Sequence, residues 1–225
     1  MNEPVLDGMV GTALDCAEPL FRKGNTNCGG CGMSITLQML RHAVGERRVQ
    51  LVVPASCAAV AGGTFPQSTF GVPTLMTTFA SSPAAASGIA AVAALNGEDQ
   101  RTIILAGDGG TFDIGFASLS AAAERNEDIL YICYDNEIYG NTGGQRSSAT
   151  PAGAVTTNTP DGKAEQKKDI LAILAAHRIP YAASISLAHA EDIIVIAIMH
   201  LSVRRFKIYG IGVYVGYHVI IMQAT

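Results

Sequence analysis

Two continuous apolar runs are the clearest elements of the chain. Residues Thr102–Ala106 and Ile129–Tyr134 are apolar without alternation, which is typical of strands buried on both faces of a parallel sheet. The segment between them predicts a helix from about Asp113 to Arg125. A strand, a helix and a second strand in this order predict a right-handed βαβ crossover with both strands in one sheet.

Weaker hydrophobic patterns on either side of this unit continue the alternation of strands and helices. They predict helices over 33–43, 83–95, 167–176 and 190–200, strands over 49–53 and 181–187, and loops over 62–82 and 137–165. Together these elements predict an α/β fold with a doubly wound, mainly parallel sheet. A loop as long as the second one is uncommon unless it is functional.

The composition argues against several classes of function. The 225 residues are 48% hydrophobic and 15% charged, with a formal net charge of −4. The charged fraction lies below the usual value of about a quarter, so we expect partner chains to cover part of the surface. An acidic chain without tryptophan is a poor candidate for nucleic-acid binding, which uses clustered basic residues and aromatic stacking. Neither a secretory signal nor a long enough apolar run for a membrane span is evident, so a cytoplasmic location is expected.

Polar residues follow both apolar strands. Gly107, Asp108, Gly109 and Gly110 come at the end of the first strand, and Asn136 follows the second. Because ligands of open α/β sheets bind at the carboxyl ends of the strands, we expect these residues to share a site. Glycines let a phosphate approach the backbone, and carboxylate and amide oxygens suit Mg²⁺. The alternative is a tight turn with a capping asparagine, but the arrangement across a βαβ unit favours a magnesium–diphosphate site.

Cysteines form a second candidate site. Cys28 and Cys31 make a C-x2-C pair in a glycine-rich turn, and Cys57 follows a predicted strand. The pattern fits zinc, a redox dithiol or an iron–sulfur cluster, and the residues alone leave these open. Cys133 lies inside an apolar strand and is expected to be a buried small hydrophobe.

A longer stretch of sequence carries a family resemblance. The segment from Asp135 to Ser147 (DNEIYGNTGGQRS), followed by ATPAGA over 149–154, resembles the β subunit of pyruvate:ferredoxin oxidoreductase (pyruvate synthase). The resemblance covers about residues 24–192. It implies a thiamine-diphosphate-binding fold in the 2-oxoacid:ferredoxin oxidoreductase family. It also implies oxidative decarboxylation of pyruvate to acetyl-CoA and CO₂, with electrons passed to a [4Fe–4S] cluster and ferredoxin, in a chain that is active only with other subunits of its complex.

The resemblance also implies roles for individual residues. In this family, Mg²⁺ is held at the positions of Asp108, Asn136 and the carbonyl oxygen of Ile138. Asn141 matches a residue near the reacting carbon, and it would hydrogen-bond the substrate. The glycines at 107, 109 and 110 would lie beside the diphosphate.

The same resemblance makes Cys28, Cys31 and Cys57 three ligands of the [4Fe–4S] cluster. The family's fourth ligand lies near the C-terminus, whereas no cysteine follows Cys133 here, and Cys16 is an alternative. From residue 193 onward the chain departs from the family and contains no acidic residue. We therefore expect a thiamine-diphosphate-binding domain over 1–192 and a truncated or frame-shifted segment over 193–225.

Other interpretations stay open. A sister oxidoreductase acting on branched-chain or aryl 2-oxoacids fits the same motifs. A non-catalytic, cluster-less protein that only binds partners would fit the departure of the C-terminal segment. A decarboxylase or transketolase-type enzyme would leave the three cysteines unexplained. Lys163, Lys167 and Lys168 are expected to lie at a solvated helix start, with contact to coenzyme A phosphates as the alternative.

Overall fold

A mainly parallel sheet forms the centre of the computed structural model, which describes residues 19–63, 66–179, 181–187, 207–212 and 219–223. Its strands are β1 (Arg48–Pro54), β2 (Thr74–Thr77), β3 (Gln100–Gly107), β4 (Ile129–Tyr134), β7 (Tyr181–Ser186), β8 (Lys207–Gly212) and β9 (Val219–Gln223). Within the described ranges their order is β2-β1-β3-β4-β8-β7-β9. β9 pairs antiparallel with β4, β7 and β8, and the other pairings are parallel. A small hairpin of β5 (Ile138–Tyr139) and β6 (Gln145–Arg146) stands apart.

Helices cover both faces of this sheet. They are α1 (Gly32–Val44), α2 (Cys57–Ala61), α3 (Ser82–Leu95), α4 (Phe116–Glu124) and α5 (Ile170–Ala175), with a π-helical turn over Gly109–Asp113. No helix among these described residues combines the length and the apolar character needed to cross a bilayer.

Consecutive side chains of the central strands point to opposite faces of the sheet and contribute to two hydrophobic cores. Leu51 of β1 and Ile103 of β3 pack on one face with Leu37 of α1. Their neighbours Val52 and Ile104 point to the other face, where α3 and α4 pack. Successive side chains of a strand point to opposite faces, so these apolar strands supply both cores at once. This arrangement confirms the predicted α/β fold with a doubly wound, mainly parallel sheet.

Most predicted elements agree with the observed ones, but the helix predicted over 167–176 covers only Ile170–Ala175, and α2, β8 and β9 were not predicted. β4 and the βαβ unit were predicted closely, and α1 and α3 lie within one residue of expectation. The loop predicted over 62–82 contains β2, and the one over 137–165 contains the β5–β6 hairpin, so both loop predictions were partly wrong. Thr74–Thr77 is short and half exposed, which left no apolar run to detect. The helix predicted over 190–200 lies outside the described residues.

Candidate active site

Asp108 and Asn136 reach one edge of the sheet because their strands are neighbours. β3 and β4 run parallel, with Gly107 opposite Tyr134. Asp108 directly follows Gly107, and Asn136 is the second residue after Tyr134. Asp108 is buried, with 2% of its surface exposed. The expected convergence at the carboxyl ends of the two strands therefore occurs.

Three oxygen-bearing groups meet at this edge. One terminal atom of the Asn136 amide lies 2.9 Å from Asp108 Oδ1 and 2.8 Å from the carbonyl oxygen of Ile138. If this atom is the amide nitrogen, it donates a hydrogen bond to both oxygens. If it is the amide oxygen, it faces the other two oxygens at these spacings. Octahedral Mg²⁺, with bonds of about 2.1 Å, holds neighbouring ligand oxygens about 3.0 Å apart, so the three groups fit a magnesium ion.

An unusual backbone conformation brings the Ile138 carbonyl into this set. The preceding residue, Glu137, has a φ of 62°, in the left-handed region that non-glycine residues seldom occupy. Its N–H donates to Asp135 Oδ1 over 2.9 Å. Lys167 Nζ bonds Asp135 Oδ2 and Glu137 Oε1, each over 2.8 Å. Burial alone would lower the pKa of Lys167, but these two carboxylates outweigh it, and its pKa is raised. The ion cluster thus holds the strained turn in place.

Hydroxyl groups of the following loop hydrogen-bond both Asp108 and the turn that contains Glu137. Ser147 is fully buried, and its Oγ donates to Asp108 Oδ2. Thr150 Oγ1 donates to the Glu137 carbonyl over 2.5 Å and accepts from the Ser147 N–H over 2.9 Å. One oxygen of Asp108 is therefore fixed by Ser147, and the other faces Asn136. The sequence analysis gave no role to Ser147, Thr150 or Asp135, and the hydroxyl residues at 147, 148 and 150 were the available signal for the first two.

The electrostatics of Asp108 depend on what occupies the site. Burial, with a contribution from the nearby Asp135, raises the pKa of Asp108 to about 7, while the hydrogen bond from Ser147 opposes this rise. A carboxyl group with this pKa is partly protonated at neutral pH when no cation is bound. A divalent ion favours the ionised form, so binding of the metal and loss of the proton are coupled.

Gly109 is required by a contact within the chain itself. A Cβ at Gly109 would lie 2.2 Å from Cε1 of Tyr139, whereas the nearest atom to a Cβ at Gly110 is Phe79 Cδ1 at 3.7 Å. The Tyr139 hydroxyl shares its one hydrogen between the Gly109 carbonyl oxygen at 3.1 Å and Asp113 Oδ2 at 3.0 Å. These bonds fix the ring against the glycine. The role of Gly109 and Gly110 beside a diphosphate stays a prediction.

Two adjoining cavities contain the remaining candidates. The first, of about 180 Å³, is lined among others by Gly107, Asp108, Gly109, Gly110, Asn136, Ile138, Tyr139 and Asn141. The second, of about 380 Å³, is lined among others by Cys28, Cys31, Cys57, Asn136 and Asn141. Cys57 also lines the first cavity. The structure therefore brings the predicted site residues into two neighbouring cavities, and the wall between them includes Cys57, Asn136 and Asn141.

The three cysteines are free thiols spread around the second cavity. Cys28 is exposed, and Cys31 and Cys57 are partly buried. Over the described ranges, no three side chains of His, Cys, Asp or Glu are grouped so as to hold one metal ion. Burial raises the pKa of Cys57, and a hydrogen bond from Asn141 opposes this rise. Three soft sulfur donors around one hollow suit an iron–sulfur cluster in donor chemistry. Cys16 lies outside the described residues.

The structure also shows where the buried cysteine and the three lysines considered in the sequence analysis lie. Cys133 is fully buried in β4, as expected. Lys163 is 2% exposed, and its Nζ donates to the Thr150 carbonyl over 2.6 Å. Lys168 bonds the Phe112 carbonyl, and Lys167 belongs to the ion cluster. The prediction of a solvated helix start was wrong for Lys163, because this side chain is buried and its amino group donates to carbonyl oxygens of the loop.

Known proteins resemble this chain in sequence. Residues 55–203 match the family described as thiamine pyrophosphate enzyme, C-terminal TPP binding domain. The ketoisovalerate oxidoreductase subunit VorB of Pyrococcus abyssi is 47% identical over 186 residues, covering 78% of this chain and 60% of the relative. The pyruvate synthase subunit PorB of Methanocaldococcus jannaschii is 43% identical over 188 residues, covering 78% and 63%. The chain thus spans about three fifths of the length of these curated relatives.

Solved structures share the fold at low sequence identity. A 2-oxoglutarate:ferredoxin oxidoreductase from Magnetococcus marinus superposes with a TM-score of 0.69 at 18% identity, over 86% of this chain and 65% of that one. Benzoylformate decarboxylase from Polynucleobacter necessarius gives 0.56 at 15% identity, over 87% and 35%. At these identities the structural likeness concerns the fold. With the sequence match over 55–203, it follows that the chain belongs to the thiamine pyrophosphate enzymes, in the family of their C-terminal TPP-binding domain.

Proposed function

We propose that this chain is the thiamine-diphosphate-binding β subunit of a 2-oxoacid:ferredoxin oxidoreductase. The observation that carries the proposal is the three-oxygen set of Asp108, Asn136 and Ile138, directly beside a cavity lined by three thiols. A thiamine-diphosphate enzyme without redox centres would need the first feature and not the second. The relatives that match over most of this chain are named as subunits of pyruvate synthase and ketoisovalerate oxidoreductase, which supports the class.

In this proposal the first cavity holds the coenzyme. Asp108, Asn136 and the Ile138 carbonyl would hold Mg²⁺, and the glycines at 107, 109 and 110 would leave room for the diphosphate beside them. When bound, thiamine diphosphate supplies the nucleophilic carbon and the electron sink needed to decarboxylate a 2-oxoacid. Asn141, whose side chain lines the same cavity, hydrogen-bonds the substrate and favours the negative charge that develops there.

The second cavity accepts the electrons. Cys28, Cys31 and Cys57 are three ligands of a [4Fe–4S] cluster, and ferredoxin is the external acceptor. Because Cys57 lines both cavities, the residues that would hold the cluster adjoin those that would hold the coenzyme. Coenzyme A takes the acyl group. We expect the other subunits of the complex to complete the site, since Asp108 is the one carboxylate among the described residues that line the first cavity, and it would hold the metal.

The substrate is a 2-oxoacid, with pyruvate as the compound that the sequence resemblance predicts. A branched-chain 2-oxoacid is a second candidate, because the relatives named for ketoisovalerate are 46–47% identical and those named for pyruvate synthase are 38–43% identical. The complex co-purified through this chain should reduce ferredoxin with one of these acids in the presence of coenzyme A. A comparison of kcat/KM for pyruvate and 3-methyl-2-oxobutanoate distinguishes them, and reduction with neither acid overturns the proposal.

The magnesium site has a direct test in Asp108→Asn, which replaces a carboxylate by an amide of the same shape. Calorimetry with the full chain should show that magnesium-dependent binding of thiamine diphosphate is lost, because a charged metal ligand is gone. Asp128→Asn is the matched control, since Asp128 is exposed at the opposite end of β4. Equal affinity of the Asp108 variant and the parent would remove the metal-anchoring role.

A further inference from the structure

Two amide groups of the coenzyme-binding loop point at the same sulfur atom. Asn141 Nδ2 donates to Cys57 Sγ over 3.3 Å. Asn136 Nδ2 approaches the same sulfur at 3.9 Å when its amide oxygen faces Asp108 and Ile138. The first distance is that of a well-formed bond to sulfur, and the second is a weak one.

We propose that Asn141 is a tuning residue for the sulfur site: its amide donates to Cys57 and raises the reduction potential of the cluster that this thiolate ligates. The inference rests on the proposed function, because it needs the [4Fe–4S] cluster. On reduction the cluster gains one electron, and the negative charge on its thiolate ligands increases. An N–H donor stabilises the more negative state better than the less negative one, so it favours reduction.

The orientation of Asn136 adds a dependence on the metal. With the amide nitrogen turned to Asp108 and Ile138, the group presents its oxygen toward Cys57. With the amide oxygen on Mg²⁺, the nitrogen faces the sulfur instead. Loading the first cavity therefore adds a second, weaker donor to the wall that both cavities share.

The expected change in reduction potential follows from ordinary hydrogen-bond energies. A donor worth about 1.4 kcal/mol more to the reduced cluster changes the equilibrium constant for one-electron reduction about tenfold, which is about 59 mV. Asn141→Leu keeps the size of the side chain and removes the donor, so we expect reduction to become about tenfold less favourable. Asn136→Thr keeps an oxygen for the metal and removes the longer contact, so a smaller loss is expected.

The test is dithionite potentiometry with mediator dyes, followed by electron paramagnetic resonance of the reduced cluster in the complex that contains this full chain. Iron and acid-labile sulfide are measured first in each variant. Thr142→Val is the matched control, because Thr142 lines the first cavity and its hydroxyl bonds Gln145 and Tyr139. Its potential should equal that of the parent.

The possible outcomes distinguish a failure of the proposed function from a failure of this inference. A parent protein without iron and sulfide overturns the proposed function and this inference with it. A parent with a cluster, and Asn141→Leu and Asn136→Thr variants at the parent's potential, overturn only the inference. If the Asn141→Leu chain assembles no cluster, Asn141→Ser decides: its hydroxyl is too short to reach the sulfur, and an unchanged potential overturns the inference. A lower potential at full iron content supports it, since a merely structural role would change the iron content instead.

Discussion

At the scale of single residues, Asp108 is defined by what each of its oxygens faces. Oδ2 accepts the Ser147 hydroxyl and Oδ1 faces Asn136. This division leaves one oxygen for a metal and uses the other to fix the plane of the carboxylate. Groups that orient a metal ligand in this way contribute to affinity although they never touch the metal.

Ser147→Ala tests that contribution. We expect affinity for magnesium thiamine diphosphate to fall by about 10- to 100-fold, the usual effect of losing a group that orients a ligand. The hydrogen bond from Ser147 opposes the rise in the pKa of Asp108 to about 7, so its loss raises this pKa further. Because the metal binds the carboxylate form, the variant should lose more affinity near pH 7 than well above it.

Calorimetry of parent and variant at both pH values makes the comparison. The coenzyme's own protonation affects the two proteins equally and cancels in the ratio of affinities. A loss that is the same at both pH values would contradict the coupling between Ser147 and the protonation of Asp108.

The cysteines permit a second residue-scale prediction. Cys31→Ala should lower the iron content of anaerobically purified protein, because Cys31 lines the second cavity. Cys133→Ala is the matched control, since Cys133 is fully buried in β4 and away from that cavity. Iron determination and visible absorbance provide the readout. Equal iron in the Cys31 variant and the parent would remove this residue from the ligand set.

At the scale of elements, the site depends on the turn 135–138 and on the π-helical turn that follows β3. Tyr139 links them, since its hydroxyl bonds Gly109 and Asp113 while its ring lies against Gly109. Tyr139 therefore couples the turn that contains Asn136 to the turn that follows Asp108. A change at this contact should affect stability and coenzyme binding together.

A pair of glycine substitutions tests this coupling. Gly109→Ala places a Cβ 2.2 Å from the Tyr139 ring, and overpacking of this kind costs about 1–3 kcal/mol. Gly88→Ala in α3 meets no atom within 4 Å and should stabilise the helix by up to about 1 kcal/mol. Urea unfolding should show opposite signs for the two variants, and calorimetry should show weaker coenzyme binding only for Gly109→Ala. A stable Gly109→Ala chain with parental affinity would disprove the coupling.

The elements also show where sequence reasoning works. The unbroken apolar run of β4 and the Gly-Asp-Gly-Gly turn were enough to predict the βαβ unit and the meeting of Asp108 with Asn136. The π-helical turn and the Glu137 conformation were not predicted, because tertiary contacts of Tyr139 and Lys167 impose them and local propensity does not. Lys163 was assigned to solvent for the same reason: a lysine that satisfies loop carbonyls from inside has no sequence pattern of its own.

At the scale of the whole molecule, binding in the first cavity should stabilise the fold. Ligand at about 100 times its Kd adds about 2.7 kcal/mol to the free energy of unfolding, and for a chain of this size that raises Tm by roughly 5–10 °C. Thermal unfolding with thiamine diphosphate and Mg²⁺ should show this rise, and excess chelator should abolish it. An equal rise without the metal would contradict binding through the Asp108 set.

The parallel pairing of Gly107 with Tyr134 has a consequence for how sequences of this kind can diverge. The distance between the Asp108 and Asn136 side chains depends on strand register, and not on the length of the chain between them. One residue inserted within β3 or β4 would turn the following side chains to the opposite face and separate Asp108 from Asn136. Insertions in the turn between α4 and β4 leave the register intact. Length variation among functional homologues should therefore accumulate in that turn and be absent from the two strands.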